Sequence, residues 1–214
     1  MKTRSAVLEL LTPAIVLFAG FWWLGLYVHG HGEPPALLAL AHQWRGHAVG
    51  LAWALTTIGR APVLAPLYAI CLVLAIVFKN WRVRLLYLVA AALAAWGCAD
   101  GFQRFFARPR RTDWLLRHEL AFSYPSSHAA ISTAFFALAA LILLRSELAA
   151  WVRYCSFAAL TALWLGILWS RLSLAAHYPT DIIGGVCLGA VVALVGAAVI
   201  RIGGGQAVAV AKSL

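Results

Sequence analysis

Charge is scarce in this chain of 214 residues: 11% of positions are charged and only seven are acidic. Soluble domains carry roughly a quarter charged residues, so an ordinary soluble domain is excluded. The acidic residues are scattered singly, from Glu9 to Asp181, which leaves no carboxylate cluster of the kind a hard divalent cation needs. Cysteine is sparse too. Cys71, Cys98, Cys155 and Cys187 all sit inside apolar stretches at spacings that fit no metal site, and they read as small packing residues. A secreted disulfide scaffold, a disordered chain and a collagen are excluded with them. The sequence also shows no repeat, no low-complexity tract and no linker, so residues 1–214 read as a single integral membrane domain. The net charge of +10 is spread over the ends of apolar stretches, with no continuous basic arm, and nucleic-acid binding is not expected.

What fills the chain instead is hydrophobic, 64% of it. Uncharged runs cover residues 10–28, 61–78, 85–99, 129–144, 154–169 and 182–200, each 15 to 19 residues long. A helix of roughly 20 residues crosses a bilayer, so the expected fold is an all-α polytopic membrane protein with six transmembrane helices. Residues 36–58 are apolar but interrupted by His42, Arg45 and His47, and Pro34-Pro35 ahead of them favours a helix start. They are expected to form an interfacial helix leading into the second span. The first run follows Lys2 and Arg4 like a signal peptide, but no small-x-small cleavage site follows it, and it reads as an uncleaved span.

With the N-terminus cytoplasmic, the inner side carries Lys2, Arg4, Lys79, Arg82, Arg84, Arg145, Arg153, Arg201 and Lys212. The outer side carries Arg45, Arg60, Arg104, Arg108, Arg110, Arg111, Arg117 and Arg171. The totals are nearly equal, but all three lysines fall inside, and six of the eight outer arginines belong to the 104–117 cluster or to the last of the polar patches described next. The remaining bias puts both termini in the cytoplasm and the patches on the outer face of the cell membrane.

Those patches are three. Gln103 to Arg111 follows the third span, Tyr124-Pro125-Ser126-Ser127-His128 leads into the fourth, and Ser170-Arg171, His177 and Asp181 bridge the fifth and sixth. All three emerge on one face. Clustered guanidiniums bind phosphate oxygens through forked, charge-assisted hydrogen bonds. Hydroxyls and N–H groups at a helix start attract an anion. Two histidines supply a nucleophile and a proton donor, and Asp181, in the first turn after Pro179, can fix the tautomer of His177. The inventory fits phosphoryl transfer through a phosphohistidine, with no metal and no cofactor.

At this point the chain resembles the type 2 phosphatidic acid phosphatase (PAP2) family, the membrane branch of the superfamily that includes vanadium haloperoxidases. The family pattern is Lys-x6-Arg-Pro, Pro-Ser-Gly-His and Ser-Arg-x5-His-x3-Asp. Ser170, Arg171, His177 and Asp181 match the third element throughout. Pro125, Ser126 and His128 match the second, with Ser127 in place of glycine. The first is altered: Gln103 stands at the lysine, Arg110 at the arginine and Arg111 at the proline, with Arg104 a substitute cation. A second register uses Arg108-Pro109 and puts Gly101 at the lysine.

The resemblance implies a PAP2/haloperoxidase-like helical core. It implies that His177 is the nucleophile, Asp181 its orienting group and His128 the general acid. Arg110, Arg171, Ser126, Ser127, Ser170, Gln103 and Arg104 would bind phosphate. The implied partners are a lipid phosphate substrate and membrane lipids, with no obligate protein partner. A small chain suits undecaprenyl pyrophosphate dephosphorylation at the outer leaflet. The alternatives are phosphatidylglycerophosphate, phosphatidate or a lipid A phosphate, transfer to a lipid instead of water, and a catalytically dead binding or transport protein.

Simpler roles are open to several residues. Arg104, Arg108 and Arg111 serve equally as headgroup anchors. His29, His31, His42, His47 and His118 read as interfacial polar residues, Asp100 as a helix-end or mouth residue, and Gly184, Gly185 and Gly189 as close-packing positions.

Overall fold

The computed structural model describes residues 2–113, 115 and 122–202; Arg117, His118 and Lys212 lie outside the described residues. Among the described residues there is no strand. The helices are α1 (Lys2–His31), α2 (Pro35–Trp44), α3 (Val49–Ile58), α4 (Ala61–Val77), α5 (Arg82–Phe106), α6 (Ser127–Ser132), α7 (Leu138–Leu144), α8 (Ala150–Ser173) and α9 (Pro179–Ile202). A π-helical turn, Thr133–Ala137, joins α6 to α7, so that Ser127–Leu144 runs as one span.

Five stretches are long and apolar enough to cross a membrane, and α3 with α4 makes a sixth, bent by 42°. Large apolar side chains such as Ile15, Trp23, Ile76, Trp96 and Trp151 point outward. In water such a surface would aggregate; in lipid it is solvated. The protein is a multi-pass membrane protein.

One boundary differs from expectation. Residues 36–58 form two helices, α2 and α3, not one. The chain turns between them through Gly46 and Ala48, both in the left-handed region (φ +79° and 45°). Gly46 N–H donates to the Ser173 carbonyl at 2.8 Å. The break therefore ties α3 to the end of α8, where it packs.

Close packing sets the distance between the elements that carry the polar patches. A Cβ at Gly185 would stand 2.5 Å from the Ser126 carbonyl oxygen, and one at Gly189 2.4 Å from that of Ala130. Glycine is thus what lets the α9 backbone lie directly on α6, the close approach small residues provide between helices in lipid. Asp181 on α9 and His128 on α6 are drawn together by this contact.

Candidate active site

Asp181 is fully buried at the start of α9, where the carboxylate collects four donors. Arg108 Nη1 donates to Oδ1 at 2.6 Å. Tyr178 N–H donates to Oδ2 at 2.9 Å, and Ser123 Oγ–H donates to the same oxygen. The remaining partner is His177 Nδ1, 3.4 Å from Oδ2.

The other ring nitrogen, Nε2, lies 3.3 Å from Arg110 Nη1. A guanidinium only donates, so Nε2 must accept, and the ring proton sits on Nδ1 facing the carboxylate. Burial first, and then the Arg110 cation, push His177 down to about 4, against the pull of Asp181. At neutral pH the ring is uncharged and its Nε2 lone pair is held toward an arginine. That is the state a nitrogen nucleophile requires.

Arg110 also donates to the Ala176 carbonyl at 3.2 Å, which fixes the guanidinium beside the histidine. Arg171 is wholly buried in the last turn of α8 and donates from Nη1 to Thr56 Oγ1 on α3. It acts electrostatically on both His177 and His128. His128, second residue of α6, completes the group. Its Nε2 is buried and makes no hydrogen bond among the described residues. Two imidazoles and two guanidiniums, from three separate parts of the chain, thus converge at one end of the bundle.

The other expected ligands divide. Ser127 lines a groove together with His128. Ser126 caps α6, its Oγ accepting from Ala129 N–H at 3.4 Å. The Ser170 hydroxyl donates to the Ile167 carbonyl one turn back in its own helix. Gln103 is buried and its Nε2 donates to the Pro125 carbonyl at 2.8 Å, so it braces the loop before α6. Arg104 is not brought to the site. One helical step from Gln103 it faces outward, 75% exposed, paired with Asp100 at 2.8 Å. It is a surface ion pair, and it does not replace the missing lysine.

Further contributors are Arg108, which the second register of the first motif offered, and Glu33 and Tyr178, which the sequence did not single out. Arg108 is buried between Asp181 and Glu33, with Nη2 3.0 Å from Glu33 Oε2. Glu33 also accepts from Thr180 N–H at 3.2 Å and from the Thr180 hydroxyl. Tyr178 lays its ring 4.2 Å from the Arg108 guanidinium carbon. Arg111, the neighbouring arginine, chelates Asp113 at 2.7 and 2.9 Å and holds that carboxyl below its ordinary range. The signal available for Glu33 was its rarity: a lone carboxylate beside a Pro-Pro helix start in an acid-poor chain.

The groove of about 360 Å³ opens from His128, Ser127 and Arg60 down between α4 and α5, over Leu64, Tyr68, Leu93 and Trp96. Its polar end is at the imidazole and its apolar end faces lipid. Among the described residues no three His, Cys, Asp or Glu side chains are grouped to hold a metal ion.

The fold matches a solved structure, and the sequence matches a known family. The solved crystal structure of a transmembrane PAP2-type phosphatidylglycerolphosphate phosphatase from Bacillus subtilis superposes with a TM-score of 0.73. The match is at 20% identity and covers 86% of this chain and 93% of that one. No curated protein matches by sequence. The family description of the PAP2 superfamily matches residues 84–202, which is more than half of the chain and includes His128, Arg171, His177 and Asp181. The helical fold and the sequence match lead to one assignment: the chain belongs to the PAP2 superfamily.

Proposed function

We propose that the protein is a lipid phosphate phosphatase that works through a phosphohistidine on His177. The supporting observation is the orientation of that ring, with Nδ1–H toward Asp181 and the Nε2 lone pair toward Arg110. Arg110 and Arg171 take the oxygens of the incoming phosphate, Arg110 exchanging its contact with Nε2 for the phosphate. Nε2 attacks phosphorus as the bond to the lipid oxygen breaks, and protonated His128 gives its proton to that oxygen. Water then attacks phosphorus, His128 takes back a proton, and the P–N bond breaks to release inorganic phosphate. The guanidiniums stabilise the charge on the transferring group throughout.

The groove between α4 and α5 suits a substrate whose headgroup reaches the histidines while its tail stays in lipid. Undecaprenyl pyrophosphate is the substrate this reading prefers. Phosphatidylglycerophosphate, the substrate named for the Bacillus subtilis protein, is the second.

Purified protein offered a prenyl diphosphate, phosphatidylglycerophosphate and phosphatidate should release inorganic phosphate from at least one. Release should persist in a chelator, because arginines supply the charge that metal supplies elsewhere. Vanadate should inhibit, since it adopts the five-coordinate geometry of the transferring group. Magnesium dependence, or no release from any lipid phosphate, overturns the reading.

The site is proposed to face outward from the cell membrane, with both termini cytoplasmic. In a background lacking Cys71, Cys98, Cys155 and Cys187, a cysteine at exposed Thr112 should react with an impermeant thiol reagent in intact cells. A cysteine at exposed Asn80 should react only after lysis. Reversed labelling would put the chemistry in the cytoplasm and remove outer-leaflet carrier recycling as the function.

A further inference from the structure

Arg60 lies at the bend between α3 and α4, and no step above uses it. Its neighbour Gly59 is packed on the imidazole of His128: a Cβ there would stand 2.8 Å from the ring Cδ2. The missing side chain lets the backbone touch the ring, so Arg60 leaves the chain beside His128. The two side chains line the same groove. The Arg60 cation acts electrostatically on the imidazole. Its guanidinium carbon is 4.7 Å from the centroid of the Trp53 ring, a cation–π contact. Its Nε is buried with no hydrogen-bond partner among the described residues. A buried donor left unmade is costly, and a site that keeps one is prepared for an acceptor that arrives with the substrate.

In-line transfer puts the leaving group opposite the nucleophile. His177 attacks from one side and His128 protonates the departing oxygen on the other, so what departs lies beside His128 and therefore beside Arg60. A lipid monophosphate departs as a neutral alcohol and offers Arg60 nothing. A lipid diphosphate departs as a lipid monophosphate, whose anionic oxygens a guanidinium grips through charge-assisted hydrogen bonds.

We infer that Arg60 binds the leaving-group phosphate, and that it makes the site selective for lipids with a second phosphate directly behind the scissile bond. The inference rests on the phosphatase reading above. The bond from the terminal phosphorus to the bridging oxygen breaks as the bond to His177 Nε2 forms. Its electron pair stays on the bridging oxygen, which takes the His128 proton and leaves with the lipid monophosphate.

The test uses two substrates with one tail, farnesyl diphosphate and farnesyl monophosphate, and the full-length protein in detergent. Arg60→Gln should lower kcat/KM for the diphosphate about 10- to 100-fold, the range for losing one charge-assisted contact, and for the monophosphate less than about threefold. Arg60→Lys should recover part of the diphosphate rate, because it restores charge without the fork. Equal losses on both substrates, or no loss on the diphosphate, overturn the role. If the glutamine variant does not fold, the lysine variant decides: a diphosphate-selective loss supports the role, and a uniform or absent loss overturns it. Failure of the unmodified protein on every lipid phosphate would instead bring down the phosphatase reading, and this inference with it.

Discussion

His177→Ala should lower phosphate release by at least about 10⁴-fold, the scale on which removal of a catalytic nucleophile acts, without altering the helical content of the purified protein. The loss is large because, among the described residues, His128 is the one other imidazole at the site. In the proposed mechanism His128 stands on the opposite side of the transferring group, and the arginines are donors only. Asp181→Asn should cost about 10³- to 10⁴-fold for a different reason. An amide no longer demands the proton on Nδ1, and the tautomer that leaves Nε2 free loses its preference.

The pH profile separates the two variants. A neutral His177 is the working form, so the unmodified protein should lose kcat/KM as pH falls through about 4. Asp181 raises His177 against burial and Arg110, so its removal should move that limb to lower pH while the plateau falls. A folded His177→Ala protein that still releases phosphate would falsify the assignment.

How far the sequence reaches follows from how each residue is placed. Ser170, Arg171, His177 and Asp181 are legible because one local stretch, a helix end and the next helix start, fixes their spacing. The spans are legible because lipid demands long apolar helices. The first patch is harder: four arginines share nine residues, and only the fold separates them. Arg110 reaches His177, Arg108 turns beneath it to Asp181, Arg111 pairs with Asp113, and Arg104 leaves on the outer face of α5. Of the two arginines that the two registers offer, Arg110 is the one in contact with His177. Glu33 could not be assigned because its partner Thr180 lies 147 residues away, across the α1–α9 contact. The Gly46 turn was missed because His42, Arg45 and His47 around it read as the polar face of one interfacial helix and not as a break.

The buried ion network gives the largest expected effect on stability. Arg108 stands between Glu33 and Asp181, and all three side chains are at most 5% exposed. Replacing it by Met keeps the volume but leaves two carboxylates with no cation. Breaking a buried pair in this way costs about 3–5 kcal/mol. Arg108→Met should therefore melt well below the unmodified protein in detergent, and should lose most activity because Asp181 is no longer fixed. Glu33→Gln should be mild by comparison: Arg108 keeps Asp181, and the amide oxygen still accepts from Thr180. The informative protein is the double variant. If the damage in Arg108→Met comes from uncompensated charge, adding Glu33→Gln removes one of the two orphaned carboxylates. The double variant should then be more stable than Arg108→Met alone, although it carries one more change. If instead the damage comes from lost packing of the arginine stem against Tyr178, the second substitution can only add to it. A thermal melt of the three variants beside the unmodified protein distinguishes the two. A double variant less stable than Arg108→Met would show that the network is held by shape and not by charge.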